Sequence, residues 1–313
     1  MIEEKPPLII IAGPTAIGKT DISIELAKVI HGEIISADSM QVYKGMDVGT
    51  AKIEKTQMQN IKHHLIDVLS PTDDFNVVLF QKLAKEAIDE CMKSGHLPII
   101  VGGTGFYIQS ILYDIDFSES CEMPEYREEL SKLASENGAY YVHEMLKDID
   151  PESYISIKAN DLKRTIRALE YYKQTGLKIS DHNEEQKKRK PAYNCAYFVI
   201  NDDREKIYAR IDERVDIMLD SGLVEEVRGL KKLGLTDQNV SMRGLGYKEI
   251  YSYLNGEISL DEAVRIIKRD TRHFAKRQLT WFKREEEVIY IQKNENTVML
   301  DNMINVLKEK NII

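Results

Sequence analysis

Cysteine is scarce in this chain of 313 residues. The three that occur, Cys91, Cys121 and Cys195, are odd in number and far apart, which predicts neither a disulfide framework nor a zinc site. Apolar runs are short: none reaches the roughly 18 residues of a membrane-spanning helix, and the N-terminal MIEEKPP does not resemble a signal peptide. We therefore expect a protein of the reducing cytoplasm with no membrane association.

Positive charge is in the minority, with 43 Lys and Arg against 52 Asp and Glu. The net charge of −9 disfavours nucleic-acid binding through the overall field of the protein. The basic residues are nevertheless clustered: residues 265–284 hold eight Lys or Arg and one acidic residue, Asp270. A second cluster, KKRK at 187–190, alone predicts an exposed loop. The chain is therefore acidic overall with local basic surfaces.

Short apolar runs alternate with amphipathic helical patterns in the first hundred residues. LIIIA (8–12), GEIISAD (32–38) and LPIIV (97–101) are typical of buried parallel strands. This alternation predicts a parallel α/β sheet whose ligands bind beyond the carboxyl ends of the strands. The motifs GPTAIGKT, ADSMQ and GGTG all follow strand ends, so we expect them to share one pocket.

The length exceeds that of one ordinary domain, and the pattern changes near residue 121. Residues 122–191 have the pattern of amphipathic helices without strands, and AYFVIND (196–202) then predicts a strand that returns to the sheet. Helical patterns follow, including a long basic helix from about residue 260 to residue 284. We predict a catalytic core like that of P-loop NTPases, formed by 1–121 and 192–313 and interrupted by an all-helical insertion domain at 122–191.

Residues 13–20 match the phosphate-loop pattern G-x-x-x-x-G-K-[ST] between a predicted strand and a predicted helix. Glycines in such a loop let backbone N–H groups surround phosphate oxygens, and the helix adds its positive N-terminal end. The Lys can reach the terminal phosphates and the Thr hydroxyl can ligate Mg²⁺. The predicted phosphate-binding residues are Gly13, Pro14, Thr15, Ala16, Ile17, Gly18, Lys19 and Thr20.

An acidic residue at a neighbouring strand end, which nucleotide hydrolases use to support Mg²⁺ and water, is missing after LPIIV. That run continues instead as Gly102-Gly103-Thr104-Gly105, and the acid at a strand end near the loop is Asp38. Asp38 can serve a metal, act as a base on an acceptor, or cap the turn ADSMQ. The pattern therefore predicts bound phosphate without deciding that its carrier is ATP.

Three segments, GPTAIGKT, SADSMQVYKGMDVGTAK and IIVGGTGFYIQSIL, together resemble the bacterial tRNA dimethylallyltransferase (tRNA isopentenyltransferase) family. HHLID, NDLKRTIRALE, MRGLGYKE and KRQLTWF extend the resemblance, in the family's order, from residue 8 to about residue 284. One departure is Ile17, where the family often carries a small Ser, but the backbone of the loop does not depend on that side chain.

The resemblance implies transfer of a dimethylallyl group from dimethylallyl diphosphate to the exocyclic N6 amine of the adenosine 3′ of the anticodon. It implies that Lys19, Thr20 with Mg²⁺, and Thr104 are catalytic, and that Asp38 is the general base. The implied contacts with the tRNA anticodon stem-loop are Asp38, Ser39, Met40, Gln41, Thr104, Arg127, Lys163, Arg164, Arg167, Arg243, Gly246, Lys276, Arg277, Gln278 and Thr280. The insertion domain would clamp the tRNA, and no obligate protein partner is implied.

Three other functions share parts of this pattern. GPTAIGKT alone fits an ATP-dependent small-molecule kinase, which leaves the GGTG turn, the insertion and the basic helix unexplained. An RNA-binding adaptor that senses nucleotide does not explain why base-binding and phosphate-binding motifs share one sheet edge. A transferase acting on free adenine nucleotides would need no RNA-clamping insertion.

Two pairs of residues have a second interpretation. His63 and His64 lie far along the sequence from any cysteine or carboxylate cluster, which favours a structural role over metal binding. Trp281 and Phe282 can stack on a nucleobase or pack in the core, and the sequence supports both equally.

Overall fold

A computed structural model describes residues 5–117 and 123–313. The chain divides into two compact units. The core unit is Met1–Leu112 with Pro191–Ile313, and the insertion unit is Tyr113–Lys190. The domain boundary predicted between residues 121 and 122, and Cys121 with it, lie outside the described residues.

A sheet of parallel strands in the order β3-β2-β4-β1-β5-β6 forms the centre of the core unit. The strands are β1 (Pro7–Ala12), β2 (Gly32–Ala37), β3 (His63–His64), β4 (Leu97–Gly102), β5 (Asn194–Asn201) and β6 (Val288–Gln292). Gly102 at the end of β4 is in register with Ala12 on β1 and with Ala37 on β2. The three predicted motifs therefore leave the sheet side by side.

Helices pack on both faces of this sheet, and every regular element of the insertion unit in the described residues is a helix. In chain order they are α1 (Lys19–Ile30), α2 (Val77–Lys93), α3 (Gly105–Leu112), α4 (Pro124–Asn137), α5 (Ala139–Glu144), α6 (Leu146–Ile149), α7 (Pro151–Ser156), α8 (Leu162–Thr175), α9 (Ile179–Lys187), α10 (Arg204–Asp220), α11 (Leu223–Lys232), α12 (Tyr247–Leu254), α13 (Leu260–Phe282) and α14 (Asn296–Glu309). Helices α4 to α9 belong to the insertion unit.

Alternation along β1 explains the two layers, because successive strand side chains point to opposite faces. Ile9 and Ile11 join one apolar cluster with buried residues of α1, α10 and α14. Leu8 and Ile10 are equally buried but lie outside that cluster. On their side, α2 packs against β2, β4 and α3. The sheet is therefore covered on both faces, as parallel sheets require.

The insertion unit has an apolar core of its own, with Leu130, Val142, Leu146, Ile166 and Leu169 at its centre. The carboxylate of Asp150 is buried and accepts hydrogen bonds from the backbone N–H and the hydroxyl of both Ser153 and Ser180. These bonds connect the start of α7 to α9.

The structure confirms the predicted parallel α/β core, and the strand expected at 196–202 is β5, which pairs with β1. The long basic helix is α13. The sequence patterns predict neither β3, which has only two residues, nor β6, which follows α13 in the otherwise helical C-terminal part. In the described part of the chain, every helix is too short or too polar to span a lipid bilayer.

Candidate active site

The phosphate loop leaves β1 and enters α1, in the predicted strand–loop–helix order. Gly13 has a φ of +148°, and a Cβ built on it would lie 2.7 Å from the carbonyl oxygen of Ile200 on β5, so a larger residue does not fit there. Gly18 precedes α1 in the left-handed conformation, with φ +87°. The backbone thus turns tightly, and the first N–H groups of α1, which have no partners inside the helix, are available to an anion.

Lys19, the first residue of α1, folds its side chain back over this loop. Its Nζ donates hydrogen bonds to the carbonyl oxygens of Gly13 (2.9 Å) and Pro14 (2.8 Å). Burial lowers the pKa of Lys19 to about 7, the positive charge of Arg214 also lowers this pKa, and the negative charge of Asp38 raises it. A bound anion would raise the pKa of Lys19 again, because it stabilises the charged ammonium.

Arg214 of α10 is a cation at this site that the sequence analysis missed. It is partly buried, and its Nη2 donates a hydrogen bond to the carbonyl oxygen of Thr50 (3.2 Å). Burial lowers the pKa of Arg214, and the charge of Asp38 opposes that shift. In the sequence Arg214 looks like the other arginines of its amphipathic helix. Only the fold brings it to the electrostatic neighbourhood of Lys19 and Asp38.

Asp38 follows β2 directly and shapes the turn that bears the other residues of the motif ADSMQ. Its Oδ1 accepts hydrogen bonds from the backbone N–H groups of Met40 (2.8 Å) and Gln41 (3.3 Å). Within residues 5–117 and 123–313 no hydrogen bond is made to its Oδ2. One carboxylate oxygen therefore caps the turn, and the other is available to a ligand. The role of Asp38 as general base stays a prediction.

The turn after Asp38 contacts two other segments of the core unit. The Nε2 of Gln41 donates to the carbonyl oxygen of Thr50 (3.4 Å), the atom that also accepts from Arg214. The Cε of Met40 lies 2.6 Å from the position of a Cβ built on Gly244, so Met40 packs against the segment MRGLG. Ser39, between Asp38 and Met40 in the chain, is partly buried.

Glu226 of α11 holds the loop that follows this turn. Its carboxylate accepts hydrogen bonds from the backbone N–H groups of Asp47 (2.7 Å), Val48 (2.7 Å) and Gly49 (3.0 Å). The hydroxyl of Tyr247 on α12 donates to the same carboxylate (2.6 Å). The motif GMDVGT is therefore anchored to the helices behind it by one acidic side chain.

The GGTG turn is pressed against α13. A Cβ built on Gly103 would lie 2.1 Å from Nε2 of Gln278, and one on Gly105 would lie 2.2 Å from Cδ1 of Trp281. Gln278 donates from Nε2 to the carbonyl oxygen of Gly103 (3.0 Å) and accepts at Oε1 from the backbone N–H of Thr15 (3.0 Å). Thr104 is partly buried at the start of α3. The tRNA contact predicted for Gln278 stays a prediction, but its amide is occupied by backbone groups of the phosphate loop and the turn.

The basic residues of α13 differ in their partners. Arg265 and Arg269 pair within the helix, with Glu262 (2.6 Å) and Asp270 (2.8 Å). Lys268 and Arg272 form ion pairs with Asp216 and Asp212 of α10, at 2.6 Å each. In the described residues, no ion pair is made by Lys276 and Arg277 near the end of α13, nor by Arg284 in the turn after it. These three, with His273, Thr280 and Trp281, line an open cleft of ≈ 500 Å³. Phe282 is buried, so of the two aromatic residues only Trp281 faces the cleft.

Two further residues predicted to contact tRNA lie just before α12. Arg243 is exposed, and its Nη2 donates a hydrogen bond to the carbonyl oxygen of Gln238 (2.9 Å). Gly246 is buried, and its N–H donates to Oε2 of Glu249 (2.9 Å). Gly246 therefore begins α12, while the guanidinium of Arg243 stays at the surface.

The remaining predicted tRNA contacts lie in the insertion unit. Arg127 of α4 donates from Nε (3.0 Å) and Nη2 (2.7 Å) to the carboxylate of Glu170, which is fully buried. This pair gives Arg127 a structural role in joining α4 to α8. Lys163 and Arg164 are exposed on α8, and Arg167 is partly buried there. Their contacts with tRNA stay predictions.

The predicted Mg²⁺ site is compatible with the residues present. Thr20 is exposed in the first turn of α1, where its hydroxyl adjoins the phosphate loop. Mg²⁺ prefers oxygen ligands, and it commonly takes one or two from the protein and the rest from phosphate and water. Thr20 offers the hydroxyl oxygen that such a site needs, and Mg²⁺ binding stays a prediction.

Lys293, directly after β6, is a second residue that the sequence analysis missed. Its Nζ lies 3.0 Å from the position of a Cβ built on Gly18, so another ammonium approaches the phosphate loop. Its backbone N–H donates to the carbonyl oxygen of Asn201 at the end of β5 (2.7 Å). Lys293 lies beyond the segments that carry the family resemblance, which explains why no motif indicated it.

The expectation that both histidines of KHHLID lie far from cysteine and carboxylate is wrong for His64. Its Nε2 is 2.6 Å from Oε2 of Glu33, and the Sγ of Cys91 is 3.5 Å from each of these atoms. The three residues are 27 to 58 positions apart in sequence, which concealed the cluster. The polar groups of the cluster, at the amino end of β2, hydrogen-bond to one another. The Nζ of Lys62 also lies 3.8 Å from the Glu33 carboxylate and forms an ion pair with it. The structural role predicted for His64 stays the simpler interpretation.

Comparison with known proteins decides the family. The family model described as IPP transferase matches residues 41–285, most of the chain. The chain belongs to the IPP transferase family.

Relatives and solved structures agree with this assignment. The chain is 57% identical over 310 residues to a tRNA dimethylallyltransferase of Lachnoclostridium phytofermentans, covering 98% of this chain and 99% of that protein. It is 51% identical over 288 residues to a tRNA dimethylallyltransferase of Acetivibrio thermocellus, covering 92% of each. The crystal structure of the tRNA isopentenylpyrophosphate transferase of Bacillus halodurans is similar with a TM-score of 0.74 at 38% identity, covering 98% of each chain.

A eukaryotic dimethylallyltransferase described as acting on tRNA has a TM-score of 0.85 at 26% identity, covering 98% of this chain and 79% of that one. The family resemblance found in the motifs is thereby confirmed, and so is the classification of the chain as a prenyltransferase. The roles of single site residues stay predictions.

Proposed function

We propose that this family member transfers a dimethylallyl group from dimethylallyl diphosphate to the N6 amine of the adenosine next to the 3′ side of the anticodon in tRNA. Diphosphate would be the second product. One observation supports this most: β1, β2 and β4 end in register, so a phosphate loop, a carboxylate and a glycine turn leave the sheet together. A hydrolase would need an acid at the end of β4 to support a water nucleophile, and Gly102 stands there.

The cations of the loop would stabilise the leaving group. Breaking the allylic C–O bond places negative charge on diphosphate, and N–H groups at the start of α1 would receive part of it. Lys19 and Arg214 are two cations of this site, and the charge of Arg214 is close enough to lower the pKa of Lys19. Thr20 would hold Mg²⁺, which would supply further positive charge against the leaving group. Because Lys19 has a lowered pKa, diphosphate binding would also draw a proton onto it.

Asp38 would accept the proton that the amine loses when nitrogen bonds to carbon. Its Oδ1 is held by the N–H groups of Met40 and Gln41, so the carboxylate has a fixed orientation. Its Oδ2 would accept the proton. Gln41, Ser39 and Thr104 would contact the base or the allyl group near this point.

The adenosine has to leave the anticodon loop to reach such a site, and extrusion of a base costs a few kcal/mol. The cleft on α13 offers what the displaced RNA needs, because Lys276, Arg277 and Arg284 are unpaired cations for phosphates. Trp281 offers a face on which a base can stack. The insertion unit would supply further contacts through Lys163, Arg164 and Arg167.

A transfer assay tests the proposal. Purified protein, Mg²⁺ and labelled dimethylallyl diphosphate are incubated with an anticodon stem-loop that has adenosine 3′ of the anticodon. We expect label in this RNA and none in a matched stem-loop whose purine at that position lacks the N6 amine. Unlabelled RNA, together with phosphorylation of a metabolite by ATP, would instead establish the kinase alternative.

A further inference from the structure

We propose that Gln278 is a positioning residue that fixes the phosphate loop to the RNA-facing helix α13, so that diphosphate and RNA each strengthen the binding of the other. The proposal rests on the proposed function for the identity of the two ligands. It differs from the direct tRNA contact that the family resemblance implies for Gln278.

Gln278 differs from its neighbours on α13 in its burial and its contacts. Gln278 is only 6% exposed, whereas Lys276, Arg277 and Thr280 are exposed. The Gln278 side chain points away from the cleft, and both ends of its amide are used within the core unit: Oε1 accepts from Thr15 N–H, and Nε2 donates to the carbonyl oxygen of Gly103. One residue of the helix thus bridges the two loops that follow β1 and β4.

A glutamine fits this bridge for a chemical reason. One loop offers a donor and the other an acceptor, and a primary amide is the side chain that supplies an acceptor and a donor on one carbon. A glutamate lacks the donor for Gly103, and a methionine of similar shape lacks both groups. Either change leaves a buried backbone group without a partner, which costs about 1–3 kcal/mol.

The approach of the helix is also fixed sterically. At Gly103 the helix comes so close that a Cβ would lie 2.1 Å from the Gln278 amide. The turn, the helix and the first half of the phosphate loop are therefore one packed unit. RNA phosphates bound at Lys276 and Arg277 act on the same two turns of α13 that carry Gln278. RNA bound there would restrict the residual motion of Thr15 through Gln278, and an anion in the loop would restrict α13 in return.

Binding measurements on the whole protein test the proposal. Calorimetric titration with inorganic diphosphate and Mg²⁺, with and without the anticodon stem-loop, gives the affinity of each ligand and the factor by which one changes the other. For the wild type we expect a coupling factor of several-fold. For Gln278→Met we expect diphosphate affinity to fall roughly tenfold or more, because the hydrogen bonds to Thr15 in the loop and to Gly103 in the turn are lost, and the coupling factor to fall close to one.

The matched control is Arg277→Ala, one position away on the same helix. This variant should lower the affinity for the stem-loop and leave the affinity for diphosphate in the absence of RNA unchanged. Gln278→Met, in contrast, should lower the affinity for diphosphate. Gln278→Glu keeps the acceptor for Thr15 but places a negative charge beside the Gly103 carbonyl oxygen and the phosphate loop, so it should weaken diphosphate binding at least as much as Gln278→Met and likewise lower the coupling factor. It also replaces Gln278→Met if thermal melting shows that the methionine variant does not fold.

Two results would overturn the proposal. One is a Gln278 variant that behaves like Arg277→Ala, with weaker RNA binding and normal diphosphate binding, which would make Gln278 a tRNA contact. The other is a folded Gln278 variant with normal diphosphate affinity and normal coupling. Both readouts use inorganic diphosphate and do not depend on prenyl transfer, so they remain readable if the wild type fails the transfer assay.

Discussion

We expect the charged ammonium of Lys19 to destabilise the ligand-free protein. Its pKa is lowered from 10.5 to about 7, mainly by burial and then by Arg214, so the unfolded chain binds the proton more tightly than the folded chain does. The destabilisation is complete below about pH 7 and diminishes as pH rises from that value toward 10.5.

We expect Lys19→Met to raise the melting temperature of the ligand-free protein, most at pH 6 and least above pH 9, while diphosphate binding and turnover are lost. Differential scanning fluorimetry across this range measures the first effect, and calorimetry measures the second. Lys28→Met, on the exposed side of α1, is the control and should change neither. A lower melting temperature for Lys19→Met at pH 6 would contradict the lowered pKa of Lys19.

Two substitutions test the functions of the two carboxylate oxygens of Asp38. Asp38→Asn keeps an acceptor for the turn at Met40 and Gln41 but is a poor base, whereas Asp38→Ala removes both functions. For both variants we expect the rate of the transfer step to drop roughly 10²–10⁴-fold, as for loss of a general base, with diphosphate affinity retained. Single-turnover kinetics and diphosphate titration measure this. Loss of diphosphate affinity in Asp38→Asn would make Asp38 a metal ligand instead.

Some cations of helix α13 form ion pairs with α10, and others line the cleft. Lys268 and Arg272 are neutralised by α10, and the cations nearer the C-terminal end line the cleft. We expect Lys276→Ala and Arg277→Ala each to weaken stem-loop binding and to lower the slope of log affinity against log salt by about 0.7–0.9, one phosphate contact each. Fluorescence anisotropy at several salt concentrations measures this.

Lys268→Ala is the control for these variants, since Lys268 pairs with Asp216 across the helices. We expect it to leave the salt slope unchanged and to lower stability by about 1 kcal/mol or less, because this pair lies at the surface. An equal loss of slope in Lys268→Ala would mean that RNA covers the whole helix and not only the cleft.

The sequence predicts the elements whose signals are local. β1, β2 and β4 are continuous apolar runs, which mark them as buried strands. The phosphate loop has glycines at the positions where its backbone turns. These local patterns were enough to predict that the three motifs lie at one edge of the sheet. β3 and β6 escaped prediction because they are short and only partly buried, so neither apolar runs nor alternation marks them.

The residues that were missed, or placed differently by the structure, depend on long-range packing. Arg214 and Lys293 reach the loop from α10 and from the end of β6, and nothing in their own segments indicates a phosphate. Gln278 stands among cations in a basic helix, so its sequence context indicates RNA, whereas its contacts are set by the GGTG turn 175 positions away.

The insertion unit enters and leaves the core unit at adjacent points. The backbone N–H of Ala192 donates to the carbonyl oxygen of Leu112 (2.8 Å), so a short linker can join the two ends. We expect a variant with a Gly-Ser linker in place of 113–190 to fold, because each unit has its own apolar core. It should keep diphosphate binding and lose most transfer to RNA.

Calorimetry with inorganic diphosphate and the transfer assay measure these two properties on the same preparation. Normal transfer by the shortened chain would show that the insertion unit is dispensable for RNA binding. Loss of diphosphate binding in a chain that still melts cooperatively would show that the insertion unit supports the phosphate loop.

Because β1 lies in the middle of the sheet, its two neighbouring strands are synthesised at different times. During synthesis β1 can pair with β4 once residue 102 has left the ribosome, but its other neighbour, β5, is made only after the entire insertion unit. At about 5–20 residues per second, the strand that leads into the phosphate loop waits several seconds with one edge unpaired. An open edge of this kind invites pairing with other chains. We therefore expect the ribosome-bound chain to be most prone to aggregation while the insertion unit is being made, and the phosphate-binding pocket to be completed only after β5 has joined the sheet.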